Sequence, residues 1–295
     1  GAHAVHWPGE MAVFRSPSTD GFELLTSFGA RARLGALVSD FYAGPTSRFD
    51  LGNALVIDLL TGTLESVTDL TLFGGANALA VESAPGAWEI VQAGVAELLA
   101  PGRYRLTRLQ RGQRGTEGAM GNPTPAGARM AVLDASLKPL PIAEADLGIP
   151  WNWRIGPASR PVSDETYVAQ SFTPVGMGLR PFSVAHVEQP WRTPRTPADL
   201  TIRWTRRSRV LSADNWGAVE VPLAEEVEAY QVEILDGAAV KRVLGTGTTN
   251  ALYTAAQQTA DWGAPLGPGN TLTIRIFQLS ALVGRGAAQI VTLTF

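Results

Sequence analysis

Short hydrophobic runs separated by glycine and proline turns make up the first half of the chain. The runs at 51–60, 64–73, 88–93, 103–110 and 128–134 have the length and apolar content of strands. Pro85-Gly86 and Pro101-Gly102 lie between them and supply the fixed or positive φ that a chain reversal needs. We therefore predict a β-rich domain, sandwich-like or barrel-like, over residues 1–145, with a short helix at 93–100.

Proline interrupts this pattern between residues 146 and 180. Each proline there, among them Pro150 and Pro157, lacks the backbone donor that a central strand needs. The segment also contains Trp151 and Trp153, whose large side chains are expected to pack on a neighbouring domain. Residues 146–180 are therefore predicted to be an ordered connector between two domains.

Regular alternation of apolar and polar residues returns beyond residue 181. In one run, Leu272, Ile274 and Ile276 fall on one strand face and polar residues on the other. Further strand-like runs lie at 182–187, 199–206, 229–235, 239–244 and 289–295, and a short helix is predicted at 222–230. This spacing predicts an antiparallel sandwich over 181–295. The run ending at Trp204 resembles the second strand of a fibronectin type III module, whose tryptophan fills the core between the sheets.

Composition excludes several classes of protein. Hydrophobic residues form 45% of the chain and charged residues 17%, which excludes disorder driven by charge. The formal net charge of -3 provides no field to attract nucleic acid, and the chain has no cysteine for disulfides or thiolate metal sites. No apolar run reaches the roughly 18 residues of a membrane-spanning helix, and no signal peptide follows Gly1.

No complete set of catalytic, metal-binding or cofactor-binding residues is recognisable. His3 and His6 have a spacing that two metal ligands can use, but no third ligand lies near them. His186 falls in a strand-like run without a nucleophile motif, so a hydrogen-bonded strand histidine is the favoured interpretation. We predict that the chain is not an enzyme and holds no metal or cofactor.

Glycines alternate with basic residues in the segment 108–118. A phosphate-binding loop would need a transition from strand to helix and a Gly-Lys-Ser or Gly-Lys-Thr ending, and the segment has neither. The favoured alternative is a tight loop after the strand at 103–110, in which Glu117 pairs with an arginine.

Arginine and tryptophan cluster in the segment 203–216. A guanidinium can bind a carboxylate with two hydrogen bonds and an indole offers a stacking face, so an acidic glycan is a reasonable ligand. Ion pairing with the glutamates at 220, 225, 226 and 228 is the alternative. The candidate ligand-binding residues are Trp204, Arg206, Arg207, Arg209 and Trp216, together with Trp151 and Trp153.

Several short sequence motifs of the chain resemble motifs of one family and occur in the same order along the chain. They are His6-Trp7-Pro8-Gly9, Gly74-Gly75-Ala76-Asn77-Ala78, Trp88-Glu89-Ile90-Val91-Gln92, the run 104–117 with its Arg-Gly-x-x-Gly-Thr-Glu ending, the Trp-Thr-Arg-Arg-x-Arg run at 204–209, Pro222-Leu223-Ala224-Glu225-Glu226, and Gln278-Leu279-Ser280 with Gly284-Arg285-Gly286. On the strength of these motifs, the chain resembles the C-terminal region of the tail-tip host specificity protein, or megatron, of gene transfer agents and siphophages.

The resemblance implies a virion component at the tail tip or baseplate, made in the bacterial cytoplasm. Its expected partners are other tail-tip and hub proteins and a polysaccharide or other receptor on the host cell surface. The full-length protein is expected to be a homotrimer, and the resemblance leaves open whether this segment alone is a monomer. In that family the hydrolase-like barrel lies upstream, so the expected role is attachment. The alternatives are an accessory module of a polysaccharide- or peptidoglycan-cleaving enzyme, and a scaffold.

Overall fold

A computed structural model describes residues 9–46, 48–190, 197–209 and 221–295. The chain divides into two compact units. The first comprises the described residues up to Gln113 together with Ala119–Gly176, and the second comprises Arg114–Gly118 with Met177–Phe295. Antiparallel strands dominate both units, which confirms the predicted all-β fold class.

In the residues that the structure describes, the first unit contains ten strands and one short helix. They are β1 (Met11–Ser16), β2 (Glu23–Phe28), β3 (Leu34–Leu37), β4 (Leu55–Leu59), α1 (Asp69–Phe73), β5 (Ala78–Ala84), β6 (Ala87–Ala100), β7 (Arg103–Gln110), β8 (Arg129–Val132), β9 (Trp151–Pro157) and β10 (Val168–Phe172). Strands β3 to β8 close into a barrel in the order β3-β4-β7-β6-β5-β8. Of the two arrangements that the sequence left open for this region, the structure has the barrel.

The barrel interior is filled by the inward-facing side chains, which alternate with outward-facing ones along each strand. In β7, Tyr104 and Leu106 are buried, while Arg105 between them is exposed. These two residues join a core with Ile57, Leu79 and other aliphatic side chains from the remaining strands. Alternation with a period of two therefore determines the inside and the outside of the barrel.

Strands β1, β2, β9 and β10 form a four-stranded sheet in the order β10-β9-β1-β2. Two of these strands, β9 and β10, lie in the range 146–180 that was predicted as a connector. Pro150 directly precedes β9 and Pro157 is its last residue. Proline at a strand end removes no donor from the middle of the ladder, so these prolines are compatible with a central strand.

Two local predictions in the first unit are wrong. The range 64–73 was predicted as a strand but ends in α1, where the Thr68 side chain accepts a hydrogen bond from the backbone N–H of Thr71 and caps the helix. The range 93–100 was predicted as a helix but belongs to β6, which pairs with β7 from Gln92 to Ala100. Tertiary strand pairing has overridden local helix propensity there.

The described part of the second unit contains seven strands and one α-helix. They are β11 (Leu200–Arg203), β12 (Tyr230–Asp236), β13 (Ala239–Thr246), β14 (Asn250–Tyr253), α2 (Ala255–Trp262), β15 (Thr271–Ser280), β16 (Gly284–Arg285) and β17 (Gln289–Thr294). Strands β11 and β14 form one sheet, and β13, β12, β15, β16 and β17 form the other.

The two sheets of the second unit share one hydrophobic core, as the predicted sandwich requires. Ile202 of β11 and Tyr253 of β14 belong to the same buried cluster as Val232 and Ile274 of the opposite sheet. Trp204 follows β11 and packs edge-on against the Tyr230 ring, with 5.2 Å between the ring centroids. The tryptophan occupies the core position that the fibronectin type III resemblance predicts.

Local structure in the second unit differs from the predictions at three places. The run 182–187 forms only an isolated bridge between Ala185 and Thr205, and the range 222–230 contains no helix before β12 begins. The helix α2 was not predicted. Thr254 and Gln257 cap its N-terminus reciprocally, and Gly263 ends it in a left-handed conformation.

Candidate functional site

The arginines of the segment 203–209 make ion pairs within the second unit. Nη1 of Arg206 lies 2.9 Å from Oε1 of Glu228, and Nε of Arg209 lies 2.9 Å from Oε1 of Glu225. Both arginines also donate to backbone carbonyls of the 221–224 segment. These contacts are the ion pairs proposed as the alternative to glycan binding. Glu220, proposed as a further partner, lies outside the described residues.

Arg207 binds the carboxylate of Glu117, which comes from the glycine-rich loop. Nη1 of Arg207 donates to Oε1 of Glu117 at 2.5 Å, and the Ser183 hydroxyl donates to the same oxygen at 3.2 Å. The guanidinium of Arg207 also lies 5.2 Å from the ring centroid of Phe182. The loop therefore has the structural role expected for it, in which Glu117 pairs with an arginine.

Arg111, in the glycine-rich segment 108–118, is buried in the first unit. The side chain of Arg111 is 0% exposed and donates to both carboxylate oxygens of Glu89, at 2.7 and 3.0 Å. Its Nη1 also lies 3.0 Å from Oδ2 of Asp50. Burial raises the pKa of Asp50, but hydrogen bonds from Asn53, Arg111 and the Gly52 backbone outweigh that effect and lower it.

The predicted tryptophans present little free ring surface. Trp204 is 5% exposed and Trp153 is 3% exposed, so neither offers a stacking face to a glycan in this fold. Trp151 is half-buried, and the guanidinium of Arg15 lies 4.3 Å from its ring centroid. Trp216 lies outside the described residues.

A pocket of about 250 Å³ lies on the four-stranded sheet of the first unit. It forms where β9 and β10 run beside the turn that joins β1 to β2. Its lining residues are Thr19, Phe22, Asn152, Trp153, Arg154, Ala169, Gln170 and Ser171. An aromatic ring, a guanidinium, an amide and two hydroxyls therefore surround one concave site.

The strand register explains why the site is concave. Arg154 of β9 pairs with Ala169 of β10 on one side and with Phe14 of β1 on the other. Directly paired residues project to the same face, so the small side chain of Ala169 leaves space beside the long side chain of Arg154. The side chains of Trp153 and of its direct pair Gln170 project to the opposite face, since successive residues of a strand alternate.

The turn between β1 and β2 completes the pocket wall. Nδ2 of Asn152 donates to the carbonyl of Ser18 at 3.0 Å, which holds the turn against β9. On the same wall, the guanidinium carbon of Arg154 lies 5.1 Å from the ring centroid of Phe22, a distance within cation–π range. The turn therefore contributes both polar groups and an aromatic ring.

Arg154 lacks a carboxylate partner among the described residues, in contrast to Arg206, Arg207 and Arg209. Its Nη1 donates to the carbonyl of Val162 at 3.1 Å, and its Nε is buried without a hydrogen-bond partner. The side chain is partly buried. The pocket therefore contains a positive charge that the described part of the chain does not neutralise.

Sequence reasoning found the strand of this site but missed its chemistry. Trp151 and Trp153 were singled out on β9, and the residues that contribute polar side chains are the intervening Asn152 and its neighbour Arg154. Period-two alternation of the two tryptophans with polar residues was the available signal. The contribution of Phe22 depends on strand pairing across more than a hundred residues, which no local pattern reveals.

The described residues contain no group of three or more histidines or carboxylates that could hold a metal ion. Within the same ranges, no helix has the length and apolar character needed to cross a membrane. His186 is exposed and has a φ of 50°, whereas a strand position was expected. His3 and His6 lie outside the described residues.

Comparison with known proteins gives a partial family match. Residues 32–131, a range that coincides with the barrel, match the family described as Rcc01698-like, C-terminal. No curated protein sequence matches the chain. Among solved structures, the glycoside hydrolase domain of Endo-D from Streptococcus pneumoniae R6 is 10% identical, with a TM-score of 0.24. That alignment covers 92% of this chain and 34% of the other, so the chain spans about a third of that structure, and a likeness this weak does not indicate a shared function. The barrel is therefore similar to the Rcc01698-like C-terminal family.

Proposed function

We propose that this chain is the non-enzymatic C-terminal part of a phage-like tail-tip protein that attaches to polysaccharide on the host cell surface. The sequence motifs along the chain resemble those of the gene transfer agent family and occur in the same order. The match of the barrel to the Rcc01698-like family, a name associated with gene transfer agents, supports the same origin. The tail tip or baseplate of a virion is then its location, and other hub proteins are its partners.

The pocket on the four-stranded sheet is the observation that carries the proposal. Sugar hydroxyls bind to amide and hydroxyl groups such as those of Asn152 and Ser171, and an apolar sugar face packs on a ring such as that of Phe22. The residues of the pocket therefore have the chemistry of a small saccharide site.

The residues that line the pocket support binding rather than cleavage. Glycoside hydrolysis ordinarily uses two carboxylates on opposite sides of the scissile bond. None of the eight residues that line the pocket is an aspartate, a glutamate or a histidine. Arg154 can bind and orient an anion, but a guanidinium has no hydrogen-bond acceptor with which to take up a proton, so it does not serve as a general base.

A structural role within a longer protein is the second candidate, and the internal ion pairs favour it. Arg206, Arg207 and Arg209 all bind glutamates of their own unit, and Arg111 is enclosed by Glu89 and Asp50. Charges used in this way hold loops in place and are not available to a ligand. In this case the chain would brace the tip or frame an upstream polysaccharide-cleaving domain.

The two candidates differ in how the purified chain interacts with cells. We expect the folded chain to be retained on encapsulated host cells and not on cells from which the surface polysaccharide has been stripped. Equal retention on both, or none on either, contradicts attachment to polysaccharide and favours the structural role. Release of reducing sugars from isolated polysaccharide by the same preparation would contradict the non-enzymatic assignment.

A further inference from the structure

We propose that the pocket binds a sugar residue carrying a carboxylate, and that Arg154 is the residue that recognises this charge. The inference rests on the proposed attachment to surface polysaccharide and specifies the chemical class of the polysaccharide. Its starting point is the contrast between Arg154 and the arginines at 206, 207 and 209, each of which already has a glutamate partner.

The hydrogen bonding of Arg154 leaves donors of the guanidinium unused. The interaction with Val162 uses Nη1, and Val162 contributes a neutral carbonyl rather than a charge. A partly buried cation loses solvation that a neutral acceptor replaces only in part. An anion in the pocket would restore the missing interaction through charge-assisted hydrogen bonds, which are the stronger kind.

The number of charges in the pocket favours a carboxylate over a phosphate. Arg154 is the only charged residue among the eight that line the pocket. One guanidinium balances one carboxylate, whereas a phosphate monoester carries about -1.5 to -2 charges at pH 7 and would remain partly unneutralised. A neutral sugar would leave the charge of Arg154 unpaired.

The size of the pocket limits the ligand to a short unit. Its volume of about 250 Å³ falls just below the roughly 300–1,000 Å³ that is usual for small-molecule sites. A single acidic sugar residue fits this scale, with Phe22 against its ring and Asn152 and Ser171 near its hydroxyls. The rest of a polysaccharide chain would extend beyond the exposed strand β10.

Binding of defined oligosaccharides tests the inference directly. The probes are an oligosaccharide containing glucuronate, its glucose counterpart of equal length, and a phosphate-bearing oligosaccharide. We expect the full chain to bind the glucuronate compound at least about tenfold more tightly than the glucose compound. Arg154→Gln should weaken binding of the glucuronate compound by roughly 10- to 100-fold, the usual effect of losing a hydrogen bond between charged groups, and should leave binding of the glucose compound nearly unchanged.

Arg105→Gln is the matched control, because it removes the same charge from an exposed position of β7 that does not line the pocket. If Arg154→Gln does not fold, Ala169→Phe narrows the pocket without altering Arg154 and should also abolish binding of the glucuronate compound. Equal affinity for all three probes, tighter binding of the phosphate compound, or equal effects of Arg154→Gln and Arg105→Gln would each overturn the inference.

Failure of this inference can be distinguished from failure of the proposed function. If the chain is retained on encapsulated cells but does not discriminate the glucuronate probe, attachment stands and the carboxylate specificity is wrong. If no polysaccharide-dependent retention occurs, attachment itself is wrong.

Discussion

Arg111 shows how a single side chain organises one end of the barrel. Its guanidinium binds Glu89 through two nitrogens and Asp50 through a third, and it lies 3.9 Å from the ring centroid of Phe41. Nη1 also donates to the carbonyl of Tyr42 at 2.8 Å. The loop around residues 41–53 is therefore held against the barrel by one buried cation.

Replacing Arg111 should be severely destabilising. Arg111→Met leaves two buried carboxylates without a cation, and breaking a buried ion pair in this way typically costs about 3–5 kcal/mol. Urea unfolding followed by circular dichroism measures the loss. The exposed Arg105→Gln should change stability by less than about 0.5 kcal/mol. A loss below about 1 kcal/mol for Arg111→Met would contradict the role described for Arg111 and its two carboxylate partners.

At the scale of elements, α2 is attached to the second sandwich by a polar network. Asp261 of the helix accepts from Nε and Nη2 of Arg242 on β13, at 2.6 and 2.9 Å. It also accepts from the Tyr253 hydroxyl at 2.7 Å, and that hydroxyl accepts from Nε1 of Trp262 at 2.8 Å. The hydrogen bonds from Arg242 lower the pKa of Asp261, against the opposing effect of burial.

This network gives the sandwich a defined pH dependence. Because the pKa of Asp261 is lowered on folding, its stabilisation is present above the unfolded value of about 3.9 and is lost as the pH falls through the folded pKa. We expect Asp261→Asn to reduce the free energy of unfolding by about 1–3 kcal/mol at pH 7. The difference from the wild type should shrink at pH 3, as urea titrations at both pH values can show. A difference that stays constant would exclude this linkage.

The C-terminal end of β9 is tightly packed at Gly156. A Cβ atom at this position would lie 2.5–2.7 Å from three ring carbons of Tyr167, and that ring is buried. Gly156→Ala should therefore destabilise the first unit by about 1–3 kcal/mol through overpacking. Gly245→Ala in β13 is the control, because no atom lies within 4 Å of its added Cβ, and it should be neutral or slightly stabilising. Comparing the two melting temperatures tests the prediction, and equal effects would contradict it.

Strands were predictable from sequence where one face is buried along the whole element. The alternation of Leu272, Ile274 and Ile276 predicted β15 because that strand packs one face on a single core. Helix and strand were confused at 93–100, because the residues Glu97-Leu98-Leu99-Ala100 have good helix propensity and only pairing with β7 makes them a strand. The pocket was beyond prediction for a similar reason, since Phe22, Arg154 and Ala169 meet only through pairing between distant strands.

At the scale of the whole molecule, the two units are not two consecutive stretches of the chain. The loop residues Arg114–Gly118 belong to the second unit, although the first unit continues from Ala119 to Gly176. Glu117 accounts for this membership, because it binds Arg207 and the hydroxyl of Ser183. From the sequence, the second domain was predicted to be the continuous range 181–295, because apolar periodicity reports on strands and not on the ion pairs of a remote loop.

Loss of Glu117 should therefore weaken the second unit and not the first. Glu117→Ala leaves Arg207 without its carboxylate, and we expect the second unit to lose about 1–3 kcal/mol. Hydrogen exchange can report this as faster exchange of backbone amides in β12 and β15, with unchanged protection in β6 and β7. Glu188→Ala is the control, since its exposed carboxylate lies 3.9 Å from Arg203 and contributes little. Faster exchange in the barrel strands would contradict the prediction.

Because the second unit is formed by two separate stretches of the chain, it cannot be exchanged between related chains as one continuous segment. A recombination event with one crossover after Gly176 would transfer the sandwich but leave behind the five-residue segment Arg114–Gly118 that completes it. The recipient would then have to supply a carboxylate at the position of Glu117 from its own loop. Grafts between homologues should consequently succeed only when the donor loop travels with the sandwich or the two parents already share that acidic residue, so this loop constrains which chimeras are viable.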